Sequence, residues 1–445
     1  MTVDKKNKKS IFFKNSIDIS EGQTRLLNLF VYTMLTTTII SMLGVILFYA
    51  HSLAAMYNGV PSELSLWLLG IFSDFVEIMN FSLDDSPYVD GVGSSYPPLA
   101  IAVLYPFALI CKGAFAKYNG ETFEDINELT SKIACHWEFW LALVLFFCIS
   151  IFSIAYIASR ICRLNFKNSV KLTLAIAFSG PFVYAIMRGN TIYFALIFVL
   201  LFLLLYKSEN PVLREIALLS LAFAGCLKLY PLFFGVFLLK DKKIFASVRV
   251  AVYFALMFFI PFLFISGNEG GANPFVENLQ GFMSDAERLL NFRNLSITAL
   301  LYKVVYVFSP AAAETQVFDI VNLVILILVF LAATVLAVCA KSNFSRAVIC
   351  TGIIILIPSV TYFYVLIFMI IPFMEYFKNY DSIPKKERIM YLALFMFIAI
   401  TPIMIPQFYI PHALIVIFIM CHEGTKVIRK DIIPFFKNRK KLKEA

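Results

Sequence analysis

The chain has 445 residues, 60% of them hydrophobic and only 15% charged, with a mean hydropathy of +0.81. A water-soluble protein of this length could not hide so much apolar surface, so the solvent for most of the chain is a lipid bilayer. The net charge of +9 does not imply nucleic acid: the basic residues sit in short clusters at the ends of apolar runs, as cytoplasmic loops of membrane proteins do, and no nucleic-acid partner is expected.

Residues 1–25 form a basic tail with Lys5, Lys6, Lys8 and Lys9. The first apolar run, 26–50, is too long for a signal-peptide core and lacks a small-residue cleavage site, so an uncleaved anchor with a cytoplasmic N-terminus is expected. Next comes a long polar loop, 51–135, rich in acids and aromatics; it carries Ser73-Asp74-Phe75, Pro87-Tyr88 and Ser95-Tyr96-Pro97-Pro98-Leu99. Just before Asp74, the amphipathic stretch 65–72 with Trp67 suits the membrane interface. Further apolar runs occupy 136–158, 171–187, 191–206, 213–229, 231–239, 246–266, 317–339, 346–361, 363–377, 389–405 and 411–427. With the first run they predict an all-α polytopic protein of about twelve crossings in one transmembrane domain, 26–427, ending in a basic tail, 428–445. The short run 231–239 must be tilted, broken or part of a hairpin.

Charge sets the topology. Arg160, Arg163, Lys167 and Lys171 form one basic connection, Lys240, Lys242 and Lys243 another, and Lys385, Lys386 and Arg388 a third. All belong on the cytoplasmic side. The first loop instead holds Asp74, Glu77, Asp84, Asp85, Asp90 and further acids against few lysines. If the ambiguous run 98–114 crossed, every later basic loop would lie outside. It is therefore expected to lie in, or dip into, the outer leaflet. The outer face then collects the first loop, the corner Met187-Arg188-Gly189-Asn190, the corner Lys228-Leu229-Tyr230-Pro231, a second loop at 267–316, and the corner 358–364.

Several residues on that face could carry chemistry. Asp74, next to an interfacial stretch, is a candidate general base, against the plainer reading of a solvated loop acid. Lys228 at a span end is a candidate phosphate partner or a snorkelling lysine. Arg188 is an outer-side cation in need of a partner. Arg288, Arg293 and Asn294 in the second loop suit phosphate contact, or balance Glu277, Asp285 and Glu287. Eight cysteines are scattered without a CxxC pair, and no nucleotide loop, HExxH or metal-ligand cluster appears. No cofactor is expected, with divalent-metal dependence left open. Asp84-Asp85 reads as a solvated turn before Pro87.

In series, these pieces resemble the integral-membrane GT-C glycosyltransferases, and within them glycosyltransferase family 87, the polyprenol-phosphate-mannose-dependent mannosyltransferase-like group. Four motifs carry the resemblance over most of 26–300: Ser73-Asp74-Phe75 with Pro87-Tyr88; Ser95-Tyr96-Pro97-Pro98-Leu99; Arg188-Gly189-Asn190-Thr191; and Gly225 to Pro231, ending Lys228-Leu229-Tyr230-Pro231. There are two departures. Asn190 and Ile192 stand where the family corner has Gln and Asn, and the corner with Tyr362 and Tyr364 lacks the family's Trp and His. The resemblance implies a GT-C-like fold in a bacterial plasma membrane, both termini cytoplasmic, with an outward-facing site. It implies transfer of a hexose, with mannose the candidate, from a polyprenyl-phosphate sugar to a lipid-linked or surface glycan, inverting, with Asp74 as base. Lys228, Arg188, Asn190, Tyr230, Arg293, Asn294, Tyr96 and Tyr364 are the implied donor-binding residues. The rival readings are a flippase or exporter of lipid-linked oligosaccharides, which would spread polar residues through the bundle, and a polysaccharide polymerase, which would centre on a large late loop.

Overall fold

The computed structural model describes residues 19–57, 71–84, 86–88, 93–119, 121, 123, 126–265, 272–400 and 409–436. The interfacial stretch around Trp67, Asp85, most of the first basic tail and half of the second lie outside the described residues. Within them the protein is all-α, and the β-pairing consists of one isolated bridge, Asn294 to Tyr362.

In chain order, α1 is Glu21–Tyr57, α2 Ser73–Leu83, α3 Pro98–Ala116, α4 Ile126–Ala134 and α5 Trp137–Ile161. Then follow α6 Phe166–Ala177, α7 Gly180–Arg188, α8 Ile192–Leu205, α9 Pro211–Leu227, α10 Ile244–Phe259 and α11 Ala272–Ser284. The last are α12 Ile297–Phe308, α13 Gln316–Cys339, α14 Asn343–Leu356, α15 Ile370–Lys378, α16 Lys385–Ile400 and α17 Tyr409–Val427. Six helical stretches among the described residues are long and apolar enough to cross a membrane: Glu21–Leu43, Pro98–Ala116, Trp137–Ile161, Ile244–Phe264, Gln316–Cys339 and Ile410–Phe436. A seventh is counted if α6 and α7, bent by 62° at their junction, form one span.

Six or seven is fewer than the about twelve runs that hydropathy marks out. The remaining runs fold as shorter helices, such as α8, α9 and α14, or as broken ones. The run at 171–187 bends at Ser179, where Pro181 sits in the first turn of α7. The run at 231–239 is a 3-10 segment, Tyr230–Gly235, leading into the single turn Val236–Lys240. The run at 363–377 begins as a 3-10 segment, Phe363–Met369, before α15. Irregular backbone at membrane depth is tolerated only where protein buries it or water reaches it; the break before α15 lies beside the cavity that Tyr362 and Tyr364 line. The run at 98–114, by contrast, is one continuous 19-residue helix, α3, despite Pro106. At 1.5 Å per residue it extends about 28 Å, long enough to cross. The interfacial placement rests on charge parity and not on the shape of this helix.

The bundle is organised around α14, whose residues from Phe344 to Leu356 are all buried. Its Arg346 is almost fully enclosed, donating to the carbonyls of Ala337 (3.2 Å) and Ala340 (2.5 Å) and to Asn343 Oδ1 (3.1 Å), so its charge serves the exposed carbonyl end of α13. At the same end of α14, Glu423 of α17 is completely buried. It accepts from Ser345 of α14, Tyr391 of α16 and Lys426, which in turn reaches Glu387 at 2.6 Å. Three helices are thereby joined at one carboxylate. Glu387, His422 and Glu423 stand close enough to hold a metal ion; the Lys426 ammonium already lies between the two carboxylates.

Removing one partner of a buried ionic network leaves an uncompensated charge. Glu423→Ala is expected to cost roughly 3 kcal/mol of stability, read as a lowered unfolding temperature of the detergent-solubilised protein, whereas Glu423→Gln, which keeps one of the two acceptor oxygens, loses less.

Candidate active site

The other end of α14 leads into the corner Pro358 to Tyr364, and there the polar residues of distant segments meet. Helix α2 carries Asp74 in its first turn, where a carboxylate suits the helix N-terminus. The helix is anchored by Phe75, fully buried against Phe107 of α3 and Phe139 and Phe146 of α5. Phe72 precedes it in a left-handed conformation (φ 67°), and its N–H donates to Met187 O at 2.6 Å, tying the start of α2 to the end of α7.

Gly189 makes the junction possible. It ends α7 with φ 65°, and a Cβ on it would sit 2.3 Å from Phe75 Cβ. Only glycine combines that backbone angle with that approach. Its neighbours then grip Asp74 from two directions: Arg188 donates to Oδ1 and Asn190 Nδ2 donates to Oδ2 at 2.7 Å. Asn190 is fully buried and its own Oδ1 accepts from Ile192 N at 3.0 Å. With that oxygen engaged, its NH2 is left for the carboxylate. Asp74 itself is only 4% exposed.

Asp74 opens onto a cavity of about 670 Å³, within the range of small-molecule sites. Its walls come from α2 (Ser73, Asp74, Glu77), the segment before α3 (Ser95, Tyr96), Arg188, the second loop (Glu277, Asp285, Arg288) and the corner bearing Tyr362 and Tyr364. Tyr364 stacks on Tyr184 (centroids 6.3 Å apart, 14° between planes) and Tyr362 meets it edge-on at 6.1 Å, giving one wall flat aromatic faces. Lys228, at the break after α9, holds its ammonium 4.7 Å from the centre of the Tyr96 ring. Gly225 sets this break: a Cβ there would lie 2.4 Å from Leu232 Cγ, so the 3-10 segment can fold back on α9. No carboxylate pairs with Lys228 among the described residues.

The cavity thus collects Asp74, Arg188, Tyr96 and Tyr364 from the expected set, with Asn190 behind Asp74 and Lys228 at the edge. Three others fall elsewhere. Tyr230 packs edge-on against Phe368 and does not line the cavity. Asn294 spends its amide on structure: Nδ2 donates to Arg288 O and Ser359 O, and Oδ1 accepts from Ser296 N and Thr361 N, clamping the second loop to the Pro358 corner. Arg293 does not line the cavity, and the arginine that does is Arg288, held by Asp285 at 2.9 Å and stacked on Phe282. Asp84 accepts from Ser86 N at 2.9 Å, a local turn bond.

Sequence reasoning passed over Glu77 and Tyr362. Glu77 lies one helical turn beyond Asp74 on the same face. Burial, and next the negative charge of Asp74, push its carboxyl up to about 7. Burial likewise holds the Tyr96 phenol well above its ordinary range. The spacing Asp74-Phe75-Val76-Glu77, with apolar residues between, was the available signal.

Gly189→Ala forces a side chain into a left-handed position that costs about 1–2 kcal/mol on backbone grounds alone, and drives a Cβ into Phe75. Unfolding temperature and any activity dependent on Asp74 are both expected to fall, the second more than the first.

A sequence model of glycosyltransferase family 87 matches residues 95–359, more than half of the chain. No curated protein matches it. The matched stretch contains Tyr96, the Arg188-Gly189-Asn190 corner, Lys228 and Arg288; Asp74 and Glu77 lie just before it, Tyr362 and Tyr364 just after. With its cavity assembled largely from corners inside that stretch, this membrane-embedded chain belongs to glycosyltransferase family 87.

Proposed function

We propose that the protein transfers a hexose from a polyprenyl-phosphate sugar to a lipid-linked or surface glycan at the outer face of the membrane, with inversion and with Asp74 as general base. One observation carries the reading: in a family 87 chain, the buried Asp74 carboxylate is fixed by Arg188 and Asn190 at the wall of a polar cavity.

Such a reaction needs three things. The acceptor hydroxyl needs a carboxylate held in one orientation; Asp74 keeps a lone pair on each oxygen beyond the bonds to Arg188 and Asn190, and so can accept the hydroxyl proton. The departing lipid phosphate needs cations. Lys228, unpaired among the described residues, and Arg288 supply them. The sugar needs flat apolar faces together with polar groups, and Tyr362 and Tyr364 stand with Glu277 and Asp285 around the same space. Mannose is the candidate hexose. The acidic first loop and the basic connections support an outward-facing site with both termini in the cytoplasm.

The test is transfer from polyprenyl-phosphate hexoses to endogenous acceptors in oriented membrane vesicles. Asp74→Asn is expected to lower the rate at saturating substrate by at least about 100-fold, and Lys228→Gln by about tenfold or more with a raised KM for the donor. Full transfer by Asp74→Asn would remove Asp74 from the base role, and activity confined to inside-out vesicles would reverse the sidedness.

A further inference from the structure

The cavity holds a carboxylate that nothing in the structure uses. Glu77 lines the same space as Asp74, half-buried, and among the described residues no side chain or backbone group bonds to it. A half-buried carboxylate is costly when left without partners. Lys228 is in the mirror situation, an ammonium with only an aromatic ring beside it. The resting site therefore keeps one carboxyl and one ammonium without a hydrogen-bonded partner among the described residues.

Glycosyl transfer from a lipid phosphate creates two new requirements. It delivers a proton from the acceptor hydroxyl, and it leaves an extra negative charge on the phosphate. Lys228 and Arg288 can meet the second. Asp74 can take the proton first, but it is bound to Arg188 and Asn190, and the family corner holds it in one place. Glu77 is its neighbour one turn along the same helix face, where Cβ atoms stand about 5–6 Å apart.

We propose that Glu77 is the proton relay of this site, receiving from Asp74 the proton that Asp74 takes from the acceptor. This rests on the transferase reading above. The acceptor O–H bond breaks and its electron pair forms the bond to the anomeric carbon. The bond from that carbon to the phosphate oxygen breaks, and its pair stays on the lipid phosphate. The proton passes to Asp74, then to Glu77, and leaves as Glu77 gives it to water in the cavity, so Asp74 is restored for the next turnover. Glu77 touches no reacting atom and acts through Asp74.

The groups facing Glu77 are consistent with this. On its own helix Asp74 is a like charge; Arg188 from α7, Arg288 from the second loop and Lys228 from the break after α9 act against it and are outweighed by burial. Across the cavity stand Glu277 and Asp285, with Tyr96, Tyr362 and Tyr364 as phenols. On α4, Lys132 pairs with Glu128 and Glu121, and Lys112 of α3 is exposed. A carboxyl lifted to about 7 is poised to gain and lose a proton near neutrality.

Two measurements on the full chain test it. In the first, transfer by wild type, Glu77→Gln and Glu77→Asp is followed against pH. A relay must be ionised to receive, so wild-type kcat rises with pH through about 7. Glu77→Gln is expected to lose about 10- to 100-fold in kcat, to keep its acceptor KM within about twofold and to lose that limb; Glu77→Asp is expected to recover part of both. Unchanged kcat and pH profile in Glu77→Gln, or a change in acceptor KM alone, would overturn the relay. The second measurement needs no substrate: thermal unfolding of the unliganded protein from about pH 5 to about pH 8. A carboxyl whose folded value is raised favours the folded state at low pH, and that advantage is lost as pH rises through about 7. Wild type should therefore lose stability over this window relative to Glu77→Gln. Equal slopes would overturn the proposal whatever the sugar donor. If the slopes differ and no polyprenyl-phosphate hexose is transferred, the titrating Glu77 stands and the donor assignment is what fails.

Discussion

The grip on Asp74 is the constraint from which the site follows. Two segments more than 110 residues apart have to meet at one carboxylate: the first loop and the corner between α7 and α8. They can do so because Gly189 lets the backbone pass against Phe75, and because Phe75 is itself wedged between α3 and α5. The carboxylate is thus fixed by aromatic packing on one side and by a guanidinium and an amide on the other. A loop acid in water has neither, and would wander over several rotamers at the moment chemistry needs one.

Around this point the bundle spends its irregular backbone. The break after α9 brings Lys228 to Tyr96, and the 3-10 start before α15 brings Tyr364 to Tyr184. The single bridge between Asn294 and Tyr362 brings Arg288 to the rim. Each is a corner where a continuous helix would have carried the side chain past the cavity. The long regular helices supply stiffness, and the corners supply function.

How much of this was legible in the sequence depends on what each residue reports. Asp74, Arg188 and Lys228 were visible as charges out of place in an apolar chain or on the wrong side for its topology. The all-α membrane character followed from composition. The shortness of the run 231–239 already marked it as tilted, broken or part of a hairpin, but the bend between α6 and α7 was not visible, because a hydropathy window sums apolarity and is blind to direction. Arg293 and Arg288 are equivalent as letters, and only the bridge to Tyr362 decides which one faces inward. Glu77 was hidden for a different reason: in a loop with many acids it reads as solvated, and its burial appears only once α2 is docked.

One consequence reaches back to how the protein is made. Helix α14 contributes the axis of the bundle, yet it is short and carries Arg346, Ser345 and Thr351. Such a segment is a poor candidate for leaving the translocon into lipid by itself. Its arginine becomes tolerable only when the carbonyl end of α13 is there to receive it, and the buried Glu423 of α17 in turn needs the hydroxyl of Ser345. Glu423 lies 78 residues beyond Ser345, so the polar contacts at the centre of the molecule are complete only once α17 has been made.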